Sequence, residues 1–194
     1  MEGVNAIKPF SDEDIQAARL AENLALACGT DPTEAKDISK AVALHDVGKL
    51  KIPESILMKP DELTPDEYAI MKTHTCAGAE MLSCLRGAFG KMAQAISLFH
   101  HEKYDKTGYW GLPMGELPLY VKISGICDVY VALISERAYK HAWTHDEALK
   151  YIYNQSGEQF DPKMVDTFIT LMDKQTRHVR FFTDDANMHS DKQA

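Results

Sequence analysis

The chain has 194 residues, enough for one domain with a core of its own. Lysine and arginine number 21 against 29 acidic residues, a formal charge of −8; hydrophobic residues make up 45% and charged residues 26%. This composition excludes a collagen, a low-complexity chain and a wholly disordered one, and the acidic balance argues against polymeric nucleic acid as a ligand, which needs a basic surface to displace counterions.

The N-terminal stretch MEGVNAIKPFSDEDIQ has no basic segment followed by an apolar one, so no secretion signal is expected and the cytoplasm is the expected location. Periodicity and cap residues predict a first helix from Ser11 to Cys28. Asp31 or Thr33 caps a second, with Ala35, Ile38, Val42 and His45 on one face and Gly48 as its stop. Thr64-Pro65-Asp66-Glu67 is a capping box with proline at the first helical position; Met71, His74, Thr75, Gly78, Met81, Leu82 and Leu85 follow on one face. The next helix covers Lys91 to Phe99 and ends at His100-His101. Residues 102–118, rich in glycine and proline, form a loop of a length that is uncommon unless it serves function. Leu119 to about Ser135 reads as a buried helix. Thr144-x-x-Glu147 opens another toward Tyr153, and Asp161-Pro162 starts the last, with Val165, Phe168, Ile169 and Met172 inward.

No alternating strand and no internal repeat is found. The longest apolar run, Val129 to Ile134, is far too short to span a bilayer, so no membrane association is expected. Cys28, Cys76, Cys84 and Cys127 stand far apart and read as reduced, mostly buried thiols. The expected fold is an all-α bundle of about seven helices in a single domain over 1–183, with a polar, flexible tail at 184–194.

Six residues stand in contexts that invite chemistry: His45 beside Asp46, His74 on an otherwise apolar helical face, the pair His100-His101, and Asp128 inside a buried segment. Each alone is better read as structural, because a single histidine on an apolar face is more often a hydrogen-bonded core residue than a ligand. Together they point elsewhere. Two adjacent histidines repel when both are charged, and a divalent metal relieves this by taking neutral imidazole. A buried carboxylate without a basic partner costs several kcal/mol unless it is paired or coordinated. Four histidines and two aspartates without cysteine suit iron, manganese or zinc, with iron or manganese favoured over zinc. Six protein ligands are too many for one ion with an open position and about right for two sharing a carboxylate.

The ordered set His45-Asp46-Val47-Gly48-Lys49, His74-Thr75-Cys76-Ala77-Gly78, His100-His101-Glu102-Lys103-Tyr104-Asp105, Gly108-Tyr109 and Asp128 resembles the HD-GYP family, the bacterial HD-superfamily phosphodiesterases acting on cyclic di-GMP. The resemblance covers roughly residues 40–162 and includes Lys51-Ile52-Pro53, Lys59-Pro60 and Phe160-Asp161-Pro162. It implies an HD-domain bundle with a central metal site and hydrolysis of cyclic di-GMP to the linear dinucleotide and, by a second cut, to GMP. By analogy Asp46 bridges two divalent ions, His45 and Asp128 complete one ligand set, and His74, His100 and His101 form the other. Asp46 and Lys49 are the implied catalytic pair. Lys49, Tyr109, Arg137 and Lys140 fall where family members contact phosphate or guanine. His141, His145, His178 and His189 match nothing in this pattern and read as surface residues. A signalling partner meeting the 102–118 loop and a homodimer complete the expected partners.

The chain also departs from the family pattern. Where family members often carry an early His-x-x-Arg-Val whose histidine binds metal, the matching stretch here reads Gln16-Ala17-Ala18-Arg19-Leu20, with Asp12 upstream. The Gly-Tyr-Pro signature has become Gly108-Tyr109-Trp110, and Val131 replaces a common aspartate. Three other readings follow. The chain is a catalytically degenerate HD-GYP-like binding or regulatory module, an HD phosphohydrolase for another nucleotide, or a helical interaction domain with satisfied core histidines.

Overall fold

Ser11 opens the first helix, α1 (Asp12–Ala27), with a capping box: its Oγ accepts from Asp14 N, and Asp14 Oδ2 accepts from Ser11 N. The computed structural model describes residues 11–136 and 141–174, and all regular structure among them is helical. At the centre runs α7 (Leu119–Ile134), apolar on almost every side, with Val121, Ile123, Ile126, Cys127 and Val131 buried. The face of α1 carrying Ala17, Leu20, Ala21 and Leu24 packs on α7 and on α2 (Pro32–Val42). α6 (Gly87–Phe99) lies against α2, α7 and α5 (His74–Met81). α8 (His145–Asn154) and a last helix, α9 (162–174), contribute Ala148, Ile152, Val165 and Phe168 to the same core. The all-helical expectation holds among the described residues.

Several boundaries differ from expectation. α2 stops at Val42, short of His45, and Gly48 is no helix stop. It sits in a 3-10 turn, Val47–Lys51, pressed so close to α5 that a Cβ would stand 1.9 Å from His74 O and 2.5 Å from Gly78 N. That close approach aims the His45-Asp46 turn at His74. The long helix expected after Thr64 is two: α4 (Pro65–Lys72) and α5, broken at Thr73, whose hydroxyl donates to Ile70 O at 2.7 Å and competes with the backbone ladder. A short helix, α3 (Glu54–Leu57), had no periodic signal. The helix expected at Lys91 begins at Gly87. With these breaks the bundle has more segments than the seven expected.

The cysteines also differ from expectation: all are free, but only Cys127 is buried, while Cys76 on the outer side of α5 and Cys84 in a turn are exposed. Arg137, Lys140, His178, His189 and the tail at 184–194 lie outside the described residues. Among the described residues no helix is long and apolar enough to cross a membrane.

Candidate metal centre

Turns and helix ends, rather than one helix, deliver the six side chains. His45 and Asp46 follow α2, His74 is the first residue of α5, His100 and His101 follow α6, and Asp128 comes from α7. Asp46 Oδ1 lies 3.3 Å from His74 Nε2 and 3.7 Å from His100 Nε2, while its Oδ2 lies 3.3 Å from His45 Nε2. Asp128 Oδ1 is 3.5 Å from the same His45 nitrogen. The ligating atoms of Asp46, His74, His100 and His101 fall within 4.8 Å of one another, and so do those of His45, His100 and Asp128.

The hydrogen-bond pattern shows what this cluster fits. His45 Nδ1 donates to Val42 O at 2.8 Å, His74 Nδ1 to Met71 O at 2.7 Å, and His100 Nδ1 to Ser97 O at 3.0 Å. A carbonyl accepts only from an N–H, so in the neutral ring the proton sits on Nδ1 and each Nε2 offers a lone pair. His74 Nε2 and His100 Nε2 then face each other at 3.5 Å as two acceptors. His45 Nε2 and Asp46 Oδ1 are buried without any hydrogen-bond partner. Acceptors converging on acceptors, each ring oriented by a backbone carbonyl, is the arrangement of metal-ligating histidines and their supporting shell. The cluster is a divalent-metal site.

Charge follows the same logic. Burial pulls the His45 imidazole down, yet in metal-free protein Asp46 and Asp128 outweigh it and hold it well above its ordinary value, so there its Nε2 carries the proton that a bound cation would displace. Burial also opposes the Asp46 charge, but His45, His74 and Lys49 keep that carboxyl well below the usual carboxylate range. Burial and the neighbouring cations push His100 down to about 3 and His101 to about 2, so both stay neutral and ready to ligate.

In metal-free protein stability therefore peaks near pH 6.5. Above it stability falls, because the unfolded chain releases its His45 proton while the folded chain, with its raised pKa, still holds it. Below it His100 and His101 take up protons only in the unfolded chain. Between pH 6.5 and 4 His100 alone lowers stability by about 3 kcal/mol at 1.36 kcal/mol per pH unit. Urea melts of chelator-treated protein at pH 5, 6.5 and 8 check this, and stability that keeps climbing below pH 6 contradicts it.

Around the cluster the other expected residues divide. Lys49 Nζ donates to Asp46 Oδ2. Tyr109 packs its ring 4.7 Å from that of His101. Gln16 is exposed and joins no group of candidate ligands among the described residues. The residue of α1 that approaches the cluster is Asp14, whose Oδ1 lies 3.9 Å from His45 Nδ1. Sequence reasoning missed it because the family pattern pointed to Gln16, with Asp12 upstream, and not to Asp14. His145, read as a surface residue, instead shares a 2.7 Å hydrogen bond with the Tyr130 hydroxyl.

Glu102 was also missed as a separate feature. It is 2% exposed; its Oε1 accepts from Trp110 N at 2.7 Å and its Oε2 from Leu112 N at 2.6 Å. It thereby pins the loop that carries Tyr109. Glu102→Ala leaves both amides short of an acceptor and should cost about 2–4 kcal/mol in urea unfolding. Limited proteolysis should then cut between residues 103 and 112, and an uncut loop would refute the pinning.

Three comparisons bear on this geometry. A family model described as "HD domain" matches residues 5–164. The chain is 44% identical over 154 residues to a cyclic di-GMP phosphodiesterase response regulator, RpfG, of Xanthomonas campestris, covering 79% of this chain and 40% of that protein. It is 42% identical over 153 residues to a cyclic di-GMP phosphodiesterase of Vibrio cholerae, and 38% identical over 160 residues to a 3'3'-cGAMP-specific phosphodiesterase of the same organism. Those alignments cover 76% and 82% of this chain and 31% of each relative. The chain thus spans less than half the length of these relatives. Among solved structures, Bd1817 of Bdellovibrio bacteriovorus, an HDG"Y"P protein, superposes with a TM-score of 0.66 at 19% identity over 83% of this chain and 51% of that one. The PgpH phosphodiesterase HD domain of L. monocytogenes, solved with cyclic-di-AMP, gives 0.61 at 19% over 86% and 89%.

Proposed function

Because this chain belongs to the HD-GYP family of HD-domain proteins, we propose that it is a metal-dependent phosphodiesterase that hydrolyses cyclic di-GMP to the linear dinucleotide, with GMP as the product of a second cut. The observation that carries this reading is the meeting of bare Nε2 lone pairs and the Asp46 carboxylate in one buried cluster. We assign two divalent ions, iron or manganese ahead of zinc, on the mixed nitrogen and oxygen donor set. His74, His100 and His101 would hold one, His45 and Asp128 the other, and Asp46, whose two oxygens face different histidines, would serve both. Bound there, such ions supply Lewis-acid polarisation of the phosphoryl oxygens and a water acidic enough to react at neutral pH.

The chain's own residues supply the rest. The Nδ1–H donors of His45, His74 and His100 fix their rings before substrate arrives, so little reorganisation remains. Lys49 holds Asp46 from the open side and brings a positive charge to where a phosphodiester would enter. Tyr109 walls the cluster beside His101. Tyr109, Arg137 and Lys140 are assigned to the substrate, and the half-exposed Trp110 in the 102–118 loop marks where a signalling partner would meet the chain.

A second substrate, 3'3'-cGAMP, is favoured by the 38% identical relative specific for it. Purified protein with elemental analysis, assayed anaerobically on cyclic di-GMP and 3'3'-cGAMP, tests both. Bound divalent metal with release of the linear dinucleotide is expected. Metal without turnover of any cyclic dinucleotide would turn the reading toward a regulatory module.

A further inference from the structure

α4 has no buried residue, yet it is firmly held. Thr64 and Glu67 close a capping box at its start, and Glu67 Oε2 also accepts from Lys59 Nζ at 2.5 Å. A helix that contributes nothing to the core but is fixed in place presents its side chains to something. Tyr68 is 46% exposed, and its ring meets Tyr109 edge to face with centroids 6.1 Å apart. Tyr109 in turn lies 4.7 Å from the His101 ring. An aromatic surface therefore runs outward from the metal cluster through Tyr109 to Tyr68. Lys72, one turn beyond Tyr68, places its Nζ 5.2 Å from the Tyr68 centroid and 5.6 Å from that of Tyr109. The ammonium ties the two rings together and adds a donor at the edge of the shelf.

We infer that Tyr68, held edge-on by Tyr109, and Lys72 form a shelf on which one purine base of the substrate stacks against the Tyr68 ring and is read as guanine by Lys72, while the adjoining phosphodiester sits at the His/Asp cluster. Every base offers a π-face to an aromatic ring, so stacking supplies affinity. Lysine donates to guanine O6 and N7, whereas adenine carries an amino group in place of O6, so Lys72 supplies the choice between them. A base hangs one ribose from its phosphate, a step on the scale of the ring-to-ring spacings here. This inference rests on the phosphodiesterase reading above and adds two residues of α4 to it.

The test measures binding of the bis-phosphorothioate analogue of cyclic di-GMP to the full metal-loaded chain by calorimetry, beside hydrolysis of cyclic di-GMP and cyclic di-AMP. Tyr68→Ala should weaken binding about tenfold, and Tyr68→Phe should stay within about twofold of wild type, because the ring and not the hydroxyl does the stacking. Lys72→Met should lower the preference in kcat/KM for the guanine over the adenine dinucleotide by about tenfold. Unchanged melting temperatures are expected for these exposed or half-buried positions. Wild-type binding matched by Tyr68→Ala, with the base preference intact in Lys72→Met, overturns the shelf and leaves the phosphodiesterase reading standing. A wild-type chain that neither binds nor cuts a cyclic dinucleotide overturns both.

Discussion

On the proposed function, Asp46→Asn should strip the protein of metal and lower turnover of cyclic di-GMP by about a thousandfold or more. The substitution keeps the size of the side chain and removes its charge. Among the described residues Asp46 is the one carboxylate whose two oxygens face different histidines, Oδ1 toward His74 and His100, Oδ2 toward His45. Its loss therefore reaches both ligand groups at once. Polarisation of a phosphoryl oxygen by a metal contributes several kcal/mol, and 1.36 kcal/mol is tenfold in rate. The variant also leaves Lys49 and His45 without the charge that now faces them, so the metal-free form should melt lower than metal-free wild type. Elemental analysis, single-turnover kinetics and melts with and without chelator report the three effects separately. Full turnover with intact metal content would end the two-ion account.

Gly48→Ala should destabilise the fold by about 3 kcal/mol or more and disperse the metal site with it. The added methyl would stand 1.9 Å from His74 O and 2.5 Å from Gly78 N. Both are backbone atoms, so neither can swing aside, and the 3-10 turn has to lift away from α5. His45 and Asp46 ride on that turn and His74 starts α5, so the lift separates ligands that now sit 3.3 Å apart. Gly78→Ala provides the contrast. Its Cβ meets the Ser97 hydroxyl at 2.3 Å, which can rotate at the expense of its hydrogen bond to His45 O. That change should cost about 1–2 kcal/mol, the price of one buried hydrogen bond. Urea midpoints and metal content rank the two variants, and equal losses would contradict the close-approach argument.

Much of the fold was legible because its signals are local. Ser11, Asp31, Thr64 and Thr144 cap helices as their side chains predict, and the apolar run from Leu119 marks the central helix. Most of what was misread depended on contacts made only when the chain folds back on itself, with one local exception. Gly48 looks like a helix stop until α5 is set against it, and only then does it become a requirement for close packing. Thr73 breaks its helix through its own hydroxyl, a competition that periodicity does not register. Glu102 looks like an ordinary acidic residue until the loop folds back to offer it two amides.

By itself the sequence determined which residue types were available for coordination and that the elements carrying them would be helical, since donor chemistry belongs to side chains and capping and periodicity act within a few residues. Tertiary structure alone decided which of those donors face one another, that Asp14 rather than Gln16 approaches the cluster, and that α4 holds Tyr68 beside Tyr109. The physical reason is range. A cap or an amphipathic face is complete within a turn or two of chain, whereas a buried cluster of lone pairs exists only after packing has brought residues dozens of positions apart to within about 4 Å and removed the water that would otherwise satisfy them.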